Sequence, residues 1–175
     1  MRLVTGGTGL LGSFLLCRLF HENKPARVLK RTTSSFFQLR MAFEFMKISE
    51  KIDFNQFLDF FEWVDSDLRD LPDLEECLDS VDEIFHLAAL VSFNKHTNKD
   101  LPDVNLNGTK NLVNLALKLK IPAFHFVVKS TESSFAGTQM DEKSLTGMVV
   151  LSIFLQLNRR ARTVKRRRFF NFASL

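Results

Sequence analysis

A chain of 175 residues, 45% apolar and 25% charged, is long enough to bury one core and too short for two ordinary domains. No stretch reaches the roughly 18 uninterrupted apolar residues of a membrane span, so a soluble, cytoplasmic protein with no membrane partner is predicted. The net charge of +4 hides an asymmetry: seven cations and no acid follow residue 155, which leaves residues 1–155 at −3. There are 19 phenylalanines and no tyrosine. Cys17 and Cys77 have neither CxxC nor metal-ligand spacing and fall in apolar helical patterns, so they read as reduced core thiols and no metal site is expected.

Arg2 to Thr5 predicts a short buried strand, and Leu11, Leu15 and Leu19 recur behind it at helical spacing, flanked by Phe14, Leu16 and Phe20. That helix stops by Asn23 to Pro25. Ala26 to Lys30 is the second predicted strand and Phe61 to Asp65 the third, with a Phe-rich segment, Ser34 to Phe60, expected to be helical between them. Pro72 suits a first helical turn, with Asp73 and Glu76 spaced as a capping pair. The fourth strand falls in DEIFHLAAL, and Val104, Gly108, Leu112, Leu115 and Leu119 align along one face of a helix ended by Pro122. Phe124 to Val128 is the fifth strand, continuously apolar as strands covered on both faces are. The apolar run Leu145 to Leu157 offers a sixth element. Strands alternating with helices predict an α/β fold: a doubly wound parallel sheet of the Rossmann type, three layers deep. A cofactor would lie at the strands' carboxyl ends, at the switch point between the first and fourth strands.

Gly7, Gly9 and Gly12 form GxGxxG, and with Thr5 and Gly6 they complete TGxxGxxG. Such a turn needs one residue free to take positive φ, a backbone that a pyrophosphate can approach, and a helix pressed closely against its strand. The helix opening at Leu10 or Leu11 directs its free N–H groups at the phosphates. Thr5, Gly6, Gly7, Thr8, Gly9, Leu10, Leu11 and Gly12 are therefore candidate cofactor-binding residues. A plain glycine turn is the bland alternative; the position between a strand and an amphipathic helix in a βαβ unit favours the dinucleotide. The phosphate loop GxxxxGK[ST] is absent, which disfavours an ATPase or kinase. At the end of the second strand stand Lys30 and Arg31, where an Asp or Glu would take the ribose 2′-hydroxyl of NAD. They suit a 2′-phosphate, so NADP is the favoured cofactor and NAD the alternative; a solvated basic strand end is the other reading.

The stretches VTGGTGLLGSFLL, VDSDLRDLPDLEECLDSVDEIFHLAALVSF and VNLNGTKNLVNLALKLKIPAFHFV resemble, in this order, the extended short-chain dehydrogenase/reductases, or NAD-dependent epimerase/dehydratases. The shared motifs are TGxxGxxG, D-x-D-L-x-D at Asp65 to Asp70, HLAA at His86 to Ala89 and VNxxGTxNL at Val104 to Leu112. The resemblance implies that Asp67 and Leu68 lie beside the adenine, that Leu87, Ala88 and Ala89 line the dinucleotide's path, and that Asn105 stands where the family has a helix-start asparagine. Blander roles exist for each polar residue: Asp67 capping the helix at Pro72, His86 packed and hydrogen-bonded in the core, Asn105 capping its helix.

The resemblance further implies hydride transfer at a secondary alcohol or ketone of a small-molecule substrate, with a tyrosine as general acid/base made acidic by a lysine four residues on. No such Tyr-x-x-x-Lys exists here. The family's Ser or Thr corresponds to Ser130 or Thr131, although Lys129 interrupts the apolar-then-serine pattern. The expected protein is thus a dinucleotide binder that is inactive or incomplete, or a non-catalytic binding module, organised as an NAD(P)-binding domain at residues 1–128 and a divergent basic segment at 129–175. In that segment Phe169, Phe170 and Phe172 among seven cations would suit a nucleic-acid arm or a nuclear-localisation patch. Nucleic acid is the less favoured partner: the motifs end together with every catalytic residue, as they would after a shifted reading frame or in a truncated gene.

Overall fold

A computed structural model describes residues 1–90, 102–128 and 149–154. The first apolar run forms β1 (Arg2–Thr5), and the glycine turn leads into α1 (Leu10–His21). Next come β2 (Ala26–Lys30), α2 (Phe37–Phe45), a 3₁₀ turn at Ile48–Glu50, α3 (Phe54–Asp59) and β3 (Glu62–Asp65). Then follow α4 (Leu71–Cys77), β4 (Glu83–His86), a π-helical turn at Pro102–Asn107 that runs into α5 (Gly108–Lys118), β5 (Ala123–Val128) and β6 (Val149–Phe154). The strands hydrogen-bond in the order β3-β2-β1-β4-β5-β6. β1 to β5 are all parallel to their neighbours, whereas β6 pairs antiparallel to β5. The Leu145–Leu157 run thus supplies an antiparallel edge strand on an otherwise parallel sheet, a common pattern in doubly wound folds. The chain winds outward in opposite directions from β1, so the switch point falls between β1 and β4 as expected.

Successive strand residues face opposite sides of a sheet, and here both sides are dry. Leu3, Leu29, Ile84 and Phe124 pack with Leu74, Leu112 and Leu115 of α4 and α5. Val4 and Val28, one residue out of phase, pack with Leu16, Cys17 and Leu19 of α1 and with Leu39, Phe43 and Phe57. This explains the unbroken apolar character of the strands. Both cysteines are buried free thiols, and burial pushes Cys17 up to about 12.

The Phe-rich segment builds an aromatic layer over this second face. Phe57 sits at the centre, with ring centroids 5.1 to 5.4 Å from Phe43, Phe20 and Phe61. Phenylalanine fits there because a tyrosine hydroxyl would need a partner in a layer of rings. Asp53 and Gln56 form the capping box that opens α3.

Two local expectations are corrected. α4 is capped not by an Asp73/Glu76 pair but by Asp70, whose carboxylate accepts from Asp73 N at 3.4 Å, with Pro72 in the first turn. The helix before Pro122 begins at Gly108, so Val104 lies in the π-helical turn, and Leu119 is 40% exposed rather than on the buried face.

Candidate functional site

The glycine turn is shaped by what its glycines lack. Gly6 takes φ +74°, and a Cβ on it would lie 2.6 Å from Leu87 C and Ala88 N, so the turn rests on the chain leaving β4. A Cβ on Gly7 would meet Val28 Cγ1 at 2.4 Å, and one on Gly12 would meet Gly6 O at 2.1 Å, which seats α1 on its own turn. The left-handed conformation expected within GxGxxG is therefore adopted by Gly6, the glycine before that motif. Gly9 differs from the other three: its φ of −81° is open to any residue, and a Cβ there would meet only Gly6 O, at 3.3 Å. No positive φ requires a glycine at this place, and a Cβ would press on a single backbone atom by only a few tenths of an ångström.

Gly9 is also the N-cap of α1, where no side chain caps the leading amides and no acid stands in the first turn. Gly9 and Leu10 are exposed, with Thr8 and Leu11 half-buried beside them. An open cradle, uncapped amides and the positive end of a three-turn helix together match the requirements of a pyrophosphate.

The floor of the β1/β4 crevice is a buried polar chain. Thr5 and His86 stand in register on the two strands. His86 Nδ1 lies 2.7 Å from Thr5 Oγ1, and its Nε2 lies 2.8 Å from Thr109 Oγ1 on α5. Thr5 Oγ1 accepts from Ala88 N at 3.3 Å, and Thr5 O from Leu87 N at 3.1 Å. His86 is 6% exposed, and burial lowers its pKa to about 4. The neutral ring donates from one nitrogen and accepts at the other, a packed strut rather than a base open to a substrate. Leu87 and Ala88 are half-buried and Ala89 is exposed, alongside Gly6. Asn105 does not cap α5: its side chain accepts from Leu90 N at 2.7 Å and donates to Leu90 O at 2.9 Å, fixing the segment that follows β4.

At the other end, Asp67 accepts from Arg69 N and Nε at 2.9 Å and from Nη2 at 2.7 Å, and Arg69 reaches on to Asp103 at 3.4 Å. The Arg69 guanidinium, helped by the charge of Arg31, holds the Asp67 carboxyl down to about 2. Asp67 is thus the partner of Arg69 and caps no helix. The Leu68 side chain is buried in the core against Gly108, and Leu68 O accepts from Asn111 Nδ2 at 3.1 Å. Lys30 pairs with Asp65 at 2.5 Å, while Arg31 is exposed. Ser130, Thr131 and the basic tail lie outside the described residues. Thr109, Asn111 and Arg69 carried no sequence expectation; they sit inside the quoted motifs, but their partners do not show in a string of letters.

No helix among the described residues is long and apolar enough to cross a membrane. The family model described as Male sterility protein, an NAD-binding model, matches residues 4–161. That match continues past Val128, where the motifs end, and takes in β6. An uncharacterized membrane protein of Methanocaldococcus jannaschii is 32% identical over 125 residues, which is 70% of this chain and 34% of that protein. The UDP-glucose 4-epimerase of Bifidobacterium longum, solved with NAD+ and UDP, superposes with a TM-score of 0.60 at 21% identity over 81% of this chain and 41% of its own. The dTDP-glucose 4,6-dehydratase DesIV of Streptomyces venezuelae, solved with NAD bound, gives a TM-score of 0.52 at 25% identity over 69% of this chain and 37% of its own. The chain spans between 34% and 41% of the length of these relatives.

Proposed function

Since the chain belongs to the Male sterility protein family of NAD-binding proteins, we propose that it holds a nicotinamide dinucleotide across the β1/β4 crevice, prefers NADP to NAD, and on its own binds without turnover. The observation that carries this reading is Gly9, a glycine whose φ any residue could adopt and whose absent Cβ would meet a single atom, at the uncapped start of α1. The first-turn amides would take the pyrophosphate. The adenosine half would run toward the end of β2, where Arg31 is exposed to meet a 2′-phosphate and Asp67 and the Leu68 backbone border the adenine. Leu87 to Ala89, held by Thr5 and Asn105, would line the other half.

Bound there, the nicotinamide would give or take a hydride at a small-molecule ketone or secondary alcohol, the chemistry of the resemblance. The chain's own residues are poorly equipped for the accompanying proton. It has no tyrosine, His86 is enclosed and bonded at both nitrogens, and the thiols of Cys17 and Cys77 are raised by burial. Ser130 or Thr131 would orient a substrate oxygen without passing a proton on. General acid/base help is worth about 10²- to 10⁴-fold in rate, so turnover falls toward background without it. Residues 1–128 carry all the groups named here for the dinucleotide, while β6 of the later segment completes the sheet beside β5.

Titration of the purified chain with NADPH and NADH, followed by nicotinamide fluorescence, tests this reading. Tighter binding of NADPH, loss of binding in Gly9→Asp and no oxidation across a panel of ketones are expected. No binding of either form overturns the whole reading; equal or tighter binding of NADH overturns the preference; rapid oxidation overturns the non-catalytic part.

A further inference from the structure

We propose that Asp65, at the end of the edge strand β3, sets the ratio of NADP to NAD affinity by competing with the ligand for Lys30. This rests on the dinucleotide reading above. β2 and β3 end in register with Lys30 opposite Asp65, and Lys30 Nζ lies 2.5 Å from Asp65 Oδ1. The Lys30 side chain is 18% exposed and that of Asp65 53%, so the lysine is largely covered while the acid stands in water. Ser66 N donates to Lys30 O at 3.0 Å and holds the two strand ends together just beyond the pair. Of the two cations that end β2, one is therefore engaged. The other, Arg31, is exposed, with its amide held by Ser34 Oγ at 3.0 Å.

A phosphate monoester carries about −1.5 to −2 charges at neutral pH, whereas a 2′-hydroxyl carries none. A carboxylate beside the 2′ position acts on the first in two ways, by repelling the phosphate and by holding the ammonium that would otherwise turn to it. On the hydroxyl neither effect operates. Asp65 thus weakens NADP binding more than NAD binding. Because the pair is exposed on the acid's side, breaking it costs the fold little.

The test compares NADPH and NADH affinities of the full chain, Asp65→Asn, Lys30→Met and the double variant, with circular dichroism confirming that each is folded. Asp65→Asn is expected to tighten NADPH by about 3- to 10-fold while NADH changes by less than about twofold. The gain should be smaller in the Lys30→Met background, where only the repulsion is relieved, and should shrink in about 0.5 M salt, where exposed charges are screened. An unchanged ratio in Asp65→Asn, with both forms still bound, overturns this inference and leaves the dinucleotide reading intact; so does a gain that removal of Lys30 leaves undiminished. Failure of the parent to bind either form overturns both.

Discussion

The glycine turn and the ends of β2 and β3 would receive two parts of one ligand, and they are built by opposite means. The turn is defined by missing atoms: three of its glycines have backbone or core side chains within 2.1 to 2.6 Å of where a Cβ would be. The strand ends are defined by present charges, with Lys30, Asp65, Asp67, Arg69 and Asp103 arranged in pairs over partly exposed surface. Close-packed backbone cannot yield by ångströms, whereas a solvated ion pair can rearrange at small cost. The first region should therefore tolerate almost no change in shape and the second almost any change in stability, with consequences confined to which ligand it prefers.

The largest expected effect separates two glycines three positions apart. Gly12→Ala puts a methyl 2.1 Å from Gly6 O and 2.6 Å from Gly7 Cα, both backbone atoms. Relief requires moving the helix off the turn, at a cost of about 3 kcal/mol or more. Thermal unfolding should fall by roughly 10 °C. Gly9→Ala, with a single contact at 3.3 Å, should leave the midpoint within about 2 °C and lower dinucleotide affinity instead. Equal losses of stability in the two variants would erase the distinction between a glycine kept for packing and one kept for a ligand.

The β1/β4 crevice lies between these extremes, being polar yet buried. His86 has an ordinary value of 6.5 and a folded value of about 4, lowered by burial. Below about pH 6.5 the unfolded chain takes up a proton that the folded chain refuses, so stability present at neutral pH is lost as pH falls toward 4 and changes no further through this group below that. The swing is at most about 3 kcal/mol. Urea midpoints measured from pH 7 to pH 4 should fall steeply in the parent and more gently in His86→Gln, which cannot take up that proton. The substitution itself should cost about 1 to 3 kcal/mol at pH 7, through imperfect pairing of the Thr5 and Thr109 hydroxyls. A parent curve flat over this window would contradict a buried, neutral His86.

The same contrast decides what could be read from the letters. β1 and β2 agree with their predicted bounds, and the glycine turn announces itself, because a short apolar run and a missing Cβ are local properties. The Phe-rich segment was legible as helix but not as a layer, since the contact of Phe20 with Phe57 joins rings far apart in sequence. The letters favour Asp73 and Glu76 as a capping pair by their spacing, yet Asp70 caps α4 because the cap is fixed by where the backbone first turns. The Thr5–His86–Thr109 chain draws on three separate elements, and no window of sequence contains it. The Asn105 side chain bonds the backbone of Leu90 rather than capping α5, a pairing across 15 residues that spacing does not show.

The smallest expected effect lies at Arg69, where the proposed site would receive the adenine. Arg69 donates from Nε and Nη2 to the Asp67 carboxylate and from Nη1 to Asp103 at the start of the π-helical turn. Both partners are substantially exposed, so water replaces what a missing guanidinium leaves behind, and Arg69→Ala should not measurably shift the unfolding midpoint. The Asp67 carboxyl, however, is held at about 2 chiefly by that guanidinium, with its ordinary value at 3.8. Removal of Arg69 should move the Asp67 titration upward toward 3.8, a shift readable from the pH dependence of its carboxyl carbon resonance. An adenine amino group donates a hydrogen bond best to an ionised carboxylate, and Asp67 stays ionised at neutral pH in either protein. Dinucleotide affinity in Arg69→Ala should therefore change at neutral pH only as far as Asp67 loses its fixed position, and should fall away at a higher pH than in the parent when both are titrated toward pH 3. A variant that leaves the Asp67 titration in place would show that the carboxyl is held by the turn's backbone, and the adenine end would then belong with the glycine turn rather than with the charged strand ends.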